Sequence, residues 1–223
     1  MIAKICGLRT ADAALVAAEA GADYLGFILA PSKRQVTIET IAEIRASLQA
    51  ALAETPPIVG VVVNPSREEL DAIVRSGAVD VVQFSGEEDV AIVEGLTVPY
   101  IKALRAQPDE SAADVLARIS AWTSLAQPPV AILLDAYHPG VYGGSGVTGD
   151  WAIAAEVARE TPILLAGGLT PENVAWAITS VHPFGVDVAS GVETDGVKDP
   201  VRIRAFLAAA RASQPQPRAS VGS

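Results

Sequence analysis

The stretch ILLAGGLTPENVAWAI, Ile163–Ile178, contains the pattern from which the whole chain is built. Its apolar start, Ile163–Ala166, predicts a short buried strand, and the spacing of apolar residues over Glu172–Ile178 predicts a helix. The pair Gly167–Gly168 between them indicates a tight turn. A strand, a glycine-containing loop and a helix therefore form one unit, with which the rest of the sequence can be compared.

Eight such units follow one another along the 223 residues of the chain. The predicted strands are Ala3–Ile5, Tyr24–Ile28, Ile58–Val63, Val79–Phe84, Tyr100–Leu104, Val130–Leu134, Ile163–Ala166 and Val186–Val188. The predicted helices that follow them are Ala11–Ala20, Ile38–Leu52, Arg67–Arg75, Asp89–Val93, Ala112–Trp122, Trp151–Arg159, Glu172–Ile178 and Pro200–Ala210. Strands that alternate with helices imply a parallel sheet joined by crossovers.

Eight consecutive units without a linker favour an α/β fold with a single closed barrel, the (β/α)8 or TIM barrel, over residues 1–212. A doubly wound open sheet is the alternative, and it requires at least two of the predicted strands to be wrong. Residues 213–223 lack any periodicity, so we predict a disordered tail. In a TIM barrel the chemistry lies at the carboxyl ends of the strands, so candidate functional residues are expected there.

The composition and charge of the chain exclude some classes of partner. Half of the residues are hydrophobic and 5% are aromatic, which is typical of small side chains packed between helices and a parallel sheet. The formal net charge is −10 and no basic stripe is present, so we predict no nucleic-acid partner. A single cysteine, no signal-peptide pattern and no apolar run of about 18 residues predict a cytoplasmic protein with no membrane partner.

Glycine-containing loops follow the seventh and eighth predicted strands. Gly167 and Gly168 come after the seventh strand, and Ser190 and Gly191 come after the eighth. Thr170 is suited to an N-cap, and free backbone amides at such a helix start bind anions. Many TIM barrels bind phosphate between these two loops, so we predict a phosphate site there. The alternative is that the glycines only make tight turns.

Three other positions on the same rim carry reactive or charged side chains. Cys6 ends the first strand and is either a small buried hydrophobe or a base or nucleophile, which needs a thiol pKa lowered by nearby cations. Asp135 ends the sixth strand and is either a loop cap or ion-pair partner, or a general acid. Arg34 follows the second strand and is either a solvated charge or a fork for a carboxylate. The loop 143–146, with Gly144, follows Asp135 and is predicted to be a mobile cover over the bound ligand.

Strand alternation predicts one ion pair inside the barrel. Lys4 shares the inner face of the first strand with Cys6, and a lysine inside a barrel needs a partner. Asp187 lies inward on the eighth strand, which is next to the first in a closed barrel, so we predict a Lys4–Asp187 ion pair. His138 and His182 lack the spaced companions of a metal site, so we predict no bound metal.

The chain resembles the phosphoribosylanthranilate isomerase family of tryptophan biosynthesis. The motifs that carry the resemblance are KICGL at 4–8, PSKR at 31–34, VGVVVN at 59–64, LLDA at 133–136, GGSGVTGDW at 143–151, LAGGLTPENV at 165–174 and GVDVASGVETDGVKD at 185–199. Any one of these motifs is weak, whereas their ordered combination along most of the chain is specific.

The resemblance implies an Amadori rearrangement of N-(5-phosphoribosyl)anthranilate to 1-(2-carboxyphenylamino)-1-deoxyribulose 5-phosphate, without cofactor or metal. It implies that Asp135 protonates the ring oxygen of the ribose, that Cys6 removes the C2 proton, and that Arg34 holds the anthranilate carboxylate. The predicted substrate-binding residues are Arg34, Gly144, Gly167, Gly168, Asp187, Ser190 and Gly191. The expected partner is thus a phosphorylated sugar with an anthranilate group, bound by a monomer or a homodimer.

The sequence departs from the family pattern at two loops. QFSG at 83–86 places Ser85 where the family usually has a histidine, and Val147 and Gly149 stand where it commonly has a lysine and a phenylalanine. Two other functions therefore stay open: a related sugar-phosphate aldose–ketose isomerase, or a barrel that binds a phosphorylated ligand without catalysis. The related isomerases of the histidine pathway use an aspartate where this chain has Cys6.

Overall fold

A computed structural model describes residues 1–107, 109–136 and 151–213. The barrel strands are β1 Ile2–Ile5, β2 Tyr24–Ile28, β3 Ile58–Val62, β4 Val81–Phe84, β5 Tyr100–Arg105, β6 Ala131–Asp135, β7 Ile163–Ala166 and β8 Gly185–Val188. The α-helices are α1 Ala11–Glu19, α2 Ile38–Ala51, α3 Arg67–Arg75, α4 Ala112–Thr123, α5 Ala152–Glu160, α6 Val174–Val181 and α7 Pro200–Ala212. Two short 3-10 helices, Val90–Val93 and Ser190–Val192, and a hairpin of β9 Glu193–Thr194 and β10 Val197–Lys198 are also present.

Strands β1 to β8 form a closed barrel in which neighbouring strands are parallel. The barrel closes between its first and last strands, where Lys4 is in register with Asp187. The predicted (β/α)8 fold is therefore confirmed, and the open sheet is wrong. Helix α7 ends at Ala212, and the predicted tail, 213–223, lies outside the described residues except for Ser213.

Short polar side chains cap the helices that follow the rim loops. Thr10, Thr37, Ser66, Ser111 and Asp199 accept hydrogen bonds from first-turn amides of α1, α2, α3, α4 and α7. A cap of this kind typically stabilises a protein by about 1 kcal/mol. Because these helices start directly after the rim loops, their caps also fix where the loops end.

The fourth predicted helix, Asp89–Val93, is wrong as an α-helix. The segment forms one 3-10 turn, Val90–Val93, capped by Asp89, whose carboxylate accepts from the Ala91 amide over 2.8 Å. Gly95 follows with φ of 70°, a left-handed conformation that ends the turn. The crossover from β4 to β5 is therefore made without an α-helix.

The helix after β7 begins later than predicted. Helix α6 starts at Val174, and Thr170 is not its N-cap. The Thr170 hydroxyl accepts from the Glu172 amide, and the Asn173 side chain accepts from the Thr170 amide and donates to the Gly168 carbonyl. Residues 170–173 are thus a turn held by its own side chains, which competes with the helix for these backbone groups.

The hydrophobic core has two layers. The outer layer lies between the strands and the helices, and the inner layer fills the barrel itself. The inner layer is formed largely by Val59, Val61, Val81, Ile101, Leu133 and Leu164. Burying one side chain of this size stabilises a protein by about 1.5–3 kcal/mol. Toward the carboxyl ends of the strands the cavity lining includes the polar side chains of Gln83, Asp135 and Asp187, so an apolar floor underlies a polar mouth.

Candidate active site

A cavity of about 730 Å³ opens at the carboxyl ends of the barrel strands. Of the predicted site residues, it is lined by Arg34, Asp135, Gly167, Gly168, Asp187, Ser190 and Gly191. Cys6 is buried, with 5% of its surface exposed. Gly144 and the rest of the loop 143–146 lie outside the described residues, as do Val147 and Gly149. The structure therefore gathers most of the predicted residues on one rim.

The predicted Lys4–Asp187 ion pair is confirmed. Lys4 Nζ donates to Asp187 Oδ1 over 2.8 Å, and the Lys4 side chain is fully buried. Gly26 on β2 provides the space for this contact, since a Cβ there would lie 3.0 Å from Lys4 Nζ and 3.0 Å from Cys6 Sγ. The ammonium, the thiol and the carboxylate thus form one buried cluster.

Burial decides the acidity of Cys6. Loss of water raises the pKa of the thiol, the Lys4 ammonium lowers it, and the Asp187 carboxylate raises it again, so that it lies above the ordinary value of 9.0. The lowered pKa that would favour Cys6 as a base or nucleophile is therefore not found, because burial outweighs the nearby cation. Cys6 is mainly a thiol at neutral pH, and Lys4 is placed to stabilise the thiolate when it forms.

Lys4→Met is expected to destabilise the protein by about 3–5 kcal/mol, because it leaves the Asp187 carboxylate buried without its cation. Burial lowers the pKa of Lys4, but Asp187 and Cys6 raise it by more, to above its ordinary 10.5. The stabilisation is therefore complete below pH 10.5 and is lost as the pH rises through the raised pKa.

Urea unfolding at pH 7 measures this effect, with the double variant Lys4→Met, Asp187→Leu as the matched comparison. Removing both charges is expected to restore part of the lost stability. A single variant as stable as the unsubstituted protein would contradict the buried pair.

Asp135 ends β6 at the cavity wall, with 29% of its side chain exposed. Arg105 is its register neighbour on β5, and Arg105 Nη2 lies 3.4 Å from Asp135 Oδ2. Because Arg105 is 70% exposed, this long contact contributes little to stability. Arg105 also lines the cavity and was missed in the sequence, where the predicted strand ends one residue earlier, at Leu104.

The loops after β7 and β8 contact each other through backbone atoms. Gly167 and Gly168 have φ of 94° and 67°, which favours glycine. Gly191 touches the first loop so closely that a Cβ on it would lie 1.8 Å from the Leu169 carbonyl oxygen. Two loops that approach each other without side chains can direct several amides at one anion, as a phosphate site requires.

Arg34 is held by the carboxylate of Glu193, a residue that is not among the predicted site residues. Its Nε and Nη2 donate to Glu193 Oε1 and Oε2 over 2.6 and 2.7 Å. Gly7 lies against the same side chain, since a Cβ there would be 2.6 Å from Arg34 Cδ. Glu193 stands in the motif GVETDGVKD, in which the predicted site residue is Gly191. The acidic residue in this motif is the sequence signal that could have identified Glu193 as a partner of Arg34.

Gln83 and Ser85 form a polar corner on β4 and the loop after it. Gln83 Nε2 donates to Ser85 Oγ over 3.0 Å, and both residues line the cavity. Gln83 Oε1 is buried and has no hydrogen-bond partner among the residues that the structure describes. An unsatisfied buried acceptor is costly, so this oxygen is available for a donor on a bound ligand.

Two further properties concern metals and membranes. Within the three described ranges, no group of three or more His, Cys, Asp or Glu side chains is arranged to hold a metal ion. Over the same ranges, no helix is both long and apolar enough to cross a membrane.

A closed (β/α)8 barrel with acid–base side chains, an arginine and bare glycine loops on its carboxyl rim defines a TIM-barrel enzyme. Residues 3–209 match the family model of N-(5'phosphoribosyl)anthranilate (PRA) isomerase. The chain therefore belongs to the N-(5'-phosphoribosyl)anthranilate isomerase family. This confirms the resemblance seen in the sequence, and with it an isomerase of tryptophan biosynthesis.

Individual relatives agree with this membership. The chain is 49% identical over 217 residues to N-(5'-phosphoribosyl)anthranilate isomerase of Roseiflexus castenholzii, covering 96% of this chain and 99% of the relative. The crystal structure of the isomerase of Thermotoga maritima is similar with a TM-score of 0.79 and 34% identity, covering 95% and 100% of the two chains. A structure of such an isomerase in complex with reduced 1-(o-carboxyphenylamino)-1-deoxyribulose 5-phosphate has a TM-score of 0.76 and 31% identity, with the same coverage.

Proposed function

We propose that this protein catalyses the Amadori rearrangement of N-(5-phosphoribosyl)anthranilate to 1-(2-carboxyphenylamino)-1-deoxyribulose 5-phosphate. The observation that carries the proposal is the cavity itself, where Asp135, Arg34 and two bare glycine loops share one rim in a chain of this family. The relative solved with a reduced phosphorylated ligand supports the same chemistry. The reaction needs acid and base groups but no redox partner, so no cofactor is assigned to it.

The substrate phosphate is assigned to the loops after β7 and β8. Gly167, Gly168 and Gly191 present backbone amides without side chains between them and the ligand. Ser190 adds a hydroxyl beside them at the cavity wall. The anion is thus held mainly by oriented backbone dipoles, which suits a protein whose overall charge is −10.

Asp135 is assigned the role of general acid. It donates a proton to the ribose ring oxygen as the bond from that oxygen to C1 breaks, and the nitrogen lone pair forms the C1=N bond of a Schiff base. The acid must be protonated at the moment of transfer and partly shielded from water, and the Asp135 side chain is 29% exposed.

Cys6 is assigned the role of general base. Its thiolate removes the proton from C2, the C–H electrons form the C1=C2 bond, and the iminium nitrogen takes back its lone pair. The resulting enolamine tautomerises to the ketone when the C2 hydroxyl loses its proton and C1 gains one. A thiol of raised pKa is seldom ionised at neutral pH, but the thiolate that does form is a correspondingly stronger base. The Lys4 ammonium offsets part of the free-energy cost of ionising the buried thiol.

A cytoplasmic location and a monomeric or homodimeric state complete the proposal. The location is supported by the single cysteine, Cys6, because a chain that cannot form an internal disulfide is typical of a reducing compartment. The partner is a small phosphorylated sugar with an anthranilate group.

The purified protein is expected to consume freshly prepared phosphoribosylanthranilate, measured as loss of its anthranilate fluorescence and as appearance of the ketose by chromatography. Rescue of a tryptophan auxotroph that lacks this step tests the activity and the substrate together. Tight binding of the reduced product without turnover would instead favour the phosphate-binding barrel without catalysis.

A further inference from the structure

We propose that Glu193 is a positioning residue for the substrate carboxylate: it orients Arg34 so that one edge of the guanidinium faces the substrate. The proposal rests on the function proposed above. It concerns the segment between β8 and α7, which contains the hairpin of β9 and β10 and lies outside the eight-stranded barrel.

The contact between Arg34 and Glu193 is a fork of two short hydrogen bonds. Arg34 Nε donates to Oε1 over 2.6 Å and Nη2 donates to Oε2 over 2.7 Å. The two side chains are 15% and 5% exposed, so water competes little for these bonds. A planar fork of this kind fixes the orientation of the guanidinium as well as its place.

Lys198 on β10 is a second cation that binds Glu193. Lys198 Nζ donates to Glu193 Oε1 over 3.0 Å and to the Ala189 carbonyl over 2.6 Å, with 4% of its side chain exposed. Ala189 directly follows β8 and lines the cavity, so the hairpin is anchored to the rim. Glu193 therefore contacts two cations, of which Lys198 is also bonded to the rim.

The Glu193 side chain is ionised at every physiological pH. Burial raises the pKa of its carboxyl group, but the hydrogen bonds from Arg34 and Lys198 lower it by more, to about 2. The cluster thus holds two positive charges and one negative charge, and its net charge is +1. This balances one carboxylate, which is the charge of the anthranilate group.

Only part of the Arg34 guanidinium remains for a ligand. Nε and one side of Nη2 are occupied by Glu193, whereas Nη1 makes no hydrogen bond to any residue that the structure describes. Since Arg34 lines the cavity, a substrate carboxylate is received along the edge formed by Nη1 and Nη2. Without Glu193 this edge would have to be oriented anew at each binding event.

Glu193→Gln tests the proposal with two substrates, phosphoribosylanthranilate and the analogue made from aniline, which has no carboxylate. The variant is expected to raise KM for the anthranilate substrate about tenfold, with kcat changed less than about threefold. KM for the aniline analogue is expected to stay as in the unsubstituted protein. A merely structural role would raise KM for both substrates equally, and that outcome, or an unchanged KM for both, would overturn the proposal.

Two controls keep the result interpretable. Asp80→Asn removes a charge from another ion pair, Arg45–Asp80 at 2.7 Å, just before β4 at the opposite end of the barrel, and is expected to leave KM unchanged. Glu193→Asp retains the charge that Lys198 needs but shortens the reach to Arg34. It is expected to fold even where the amide variant does not, and to raise KM for the anthranilate substrate only; an unchanged KM would overturn the proposal.

The dissociation constant of the reduced product separates this proposal from the proposed function. It is expected to rise about tenfold in Glu193→Gln, whether or not the protein turns over substrate. Binding without turnover in the unsubstituted protein would remove the proposed function and leave the Glu193 test valid. An unsubstituted protein that neither binds nor reacts would overturn both.

Discussion

Asp135→Asn is expected to lower kcat by about 10²–10⁴-fold, because an amide cannot protonate the ribose ring oxygen as its bond to C1 breaks. Asparagine has nearly the same shape as aspartate, so the cavity wall is retained. The ion pair lost with Arg105 is long and largely exposed, so folding is expected to be affected little. Steady-state turnover and the dissociation constant of the reduced product together measure the effect.

The matched control for this variant is Asp80→Asn, the same chemical change at the amino end of the barrel. Its turnover is expected to equal that of the unsubstituted protein. The dissociation constant of the reduced product is expected to change little in Asp135→Asn, because the proposed role concerns proton transfer. A kcat within about threefold of the original value would exclude Asp135 as the essential acid.

Cys6→Ser is expected to lower kcat by a similar factor, about 10²–10⁴-fold, because a hydroxyl is far less readily deprotonated than a thiol. The pH profile gives a second measurement. The base is active as thiolate, and the pKa of Cys6 lies above 9.0, so kcat/KM of the unsubstituted protein is expected to rise with pH through 9. This alkaline rise should be lost in the serine variant. If the rise persists there, the base is another group.

The fold was predictable from the sequence because its signals are local. The strands are encoded by short apolar runs. Most of the helices are encoded by apolar spacing and by a capping residue at their start, such as Ser66 and Ser111. The rule that parallel strands end at one rim then places Asp135 and Arg34 at one mouth. Alternation along β1 and β8, together with closure, was enough to pair Lys4 with Asp187 across 183 positions of sequence.

The remaining features depend on tertiary structure. The turn 170–173 displaces the start of α6 because Asn173 bonds backward to Thr170 and Gly168, a competition that propensity does not resolve. The pairing of Arg34 with Glu193 joins residues 159 positions apart through a hairpin whose strands have only two residues each. The direction of the Cys6 pKa shift depends on burial, which spacing does not reveal.

Closure of the barrel between β1 and β8 has a consequence for synthesis of the protein on the ribosome. Lys4 is made near the start of the chain, but its partner Asp187 is added only when most of the chain has been made. Until then the lysine remains hydrated and the edge of β1 lacks its second neighbour. Contacts between such distant segments slow folding, so the step that completes the barrel and buries the lysine must follow translation of the eighth strand.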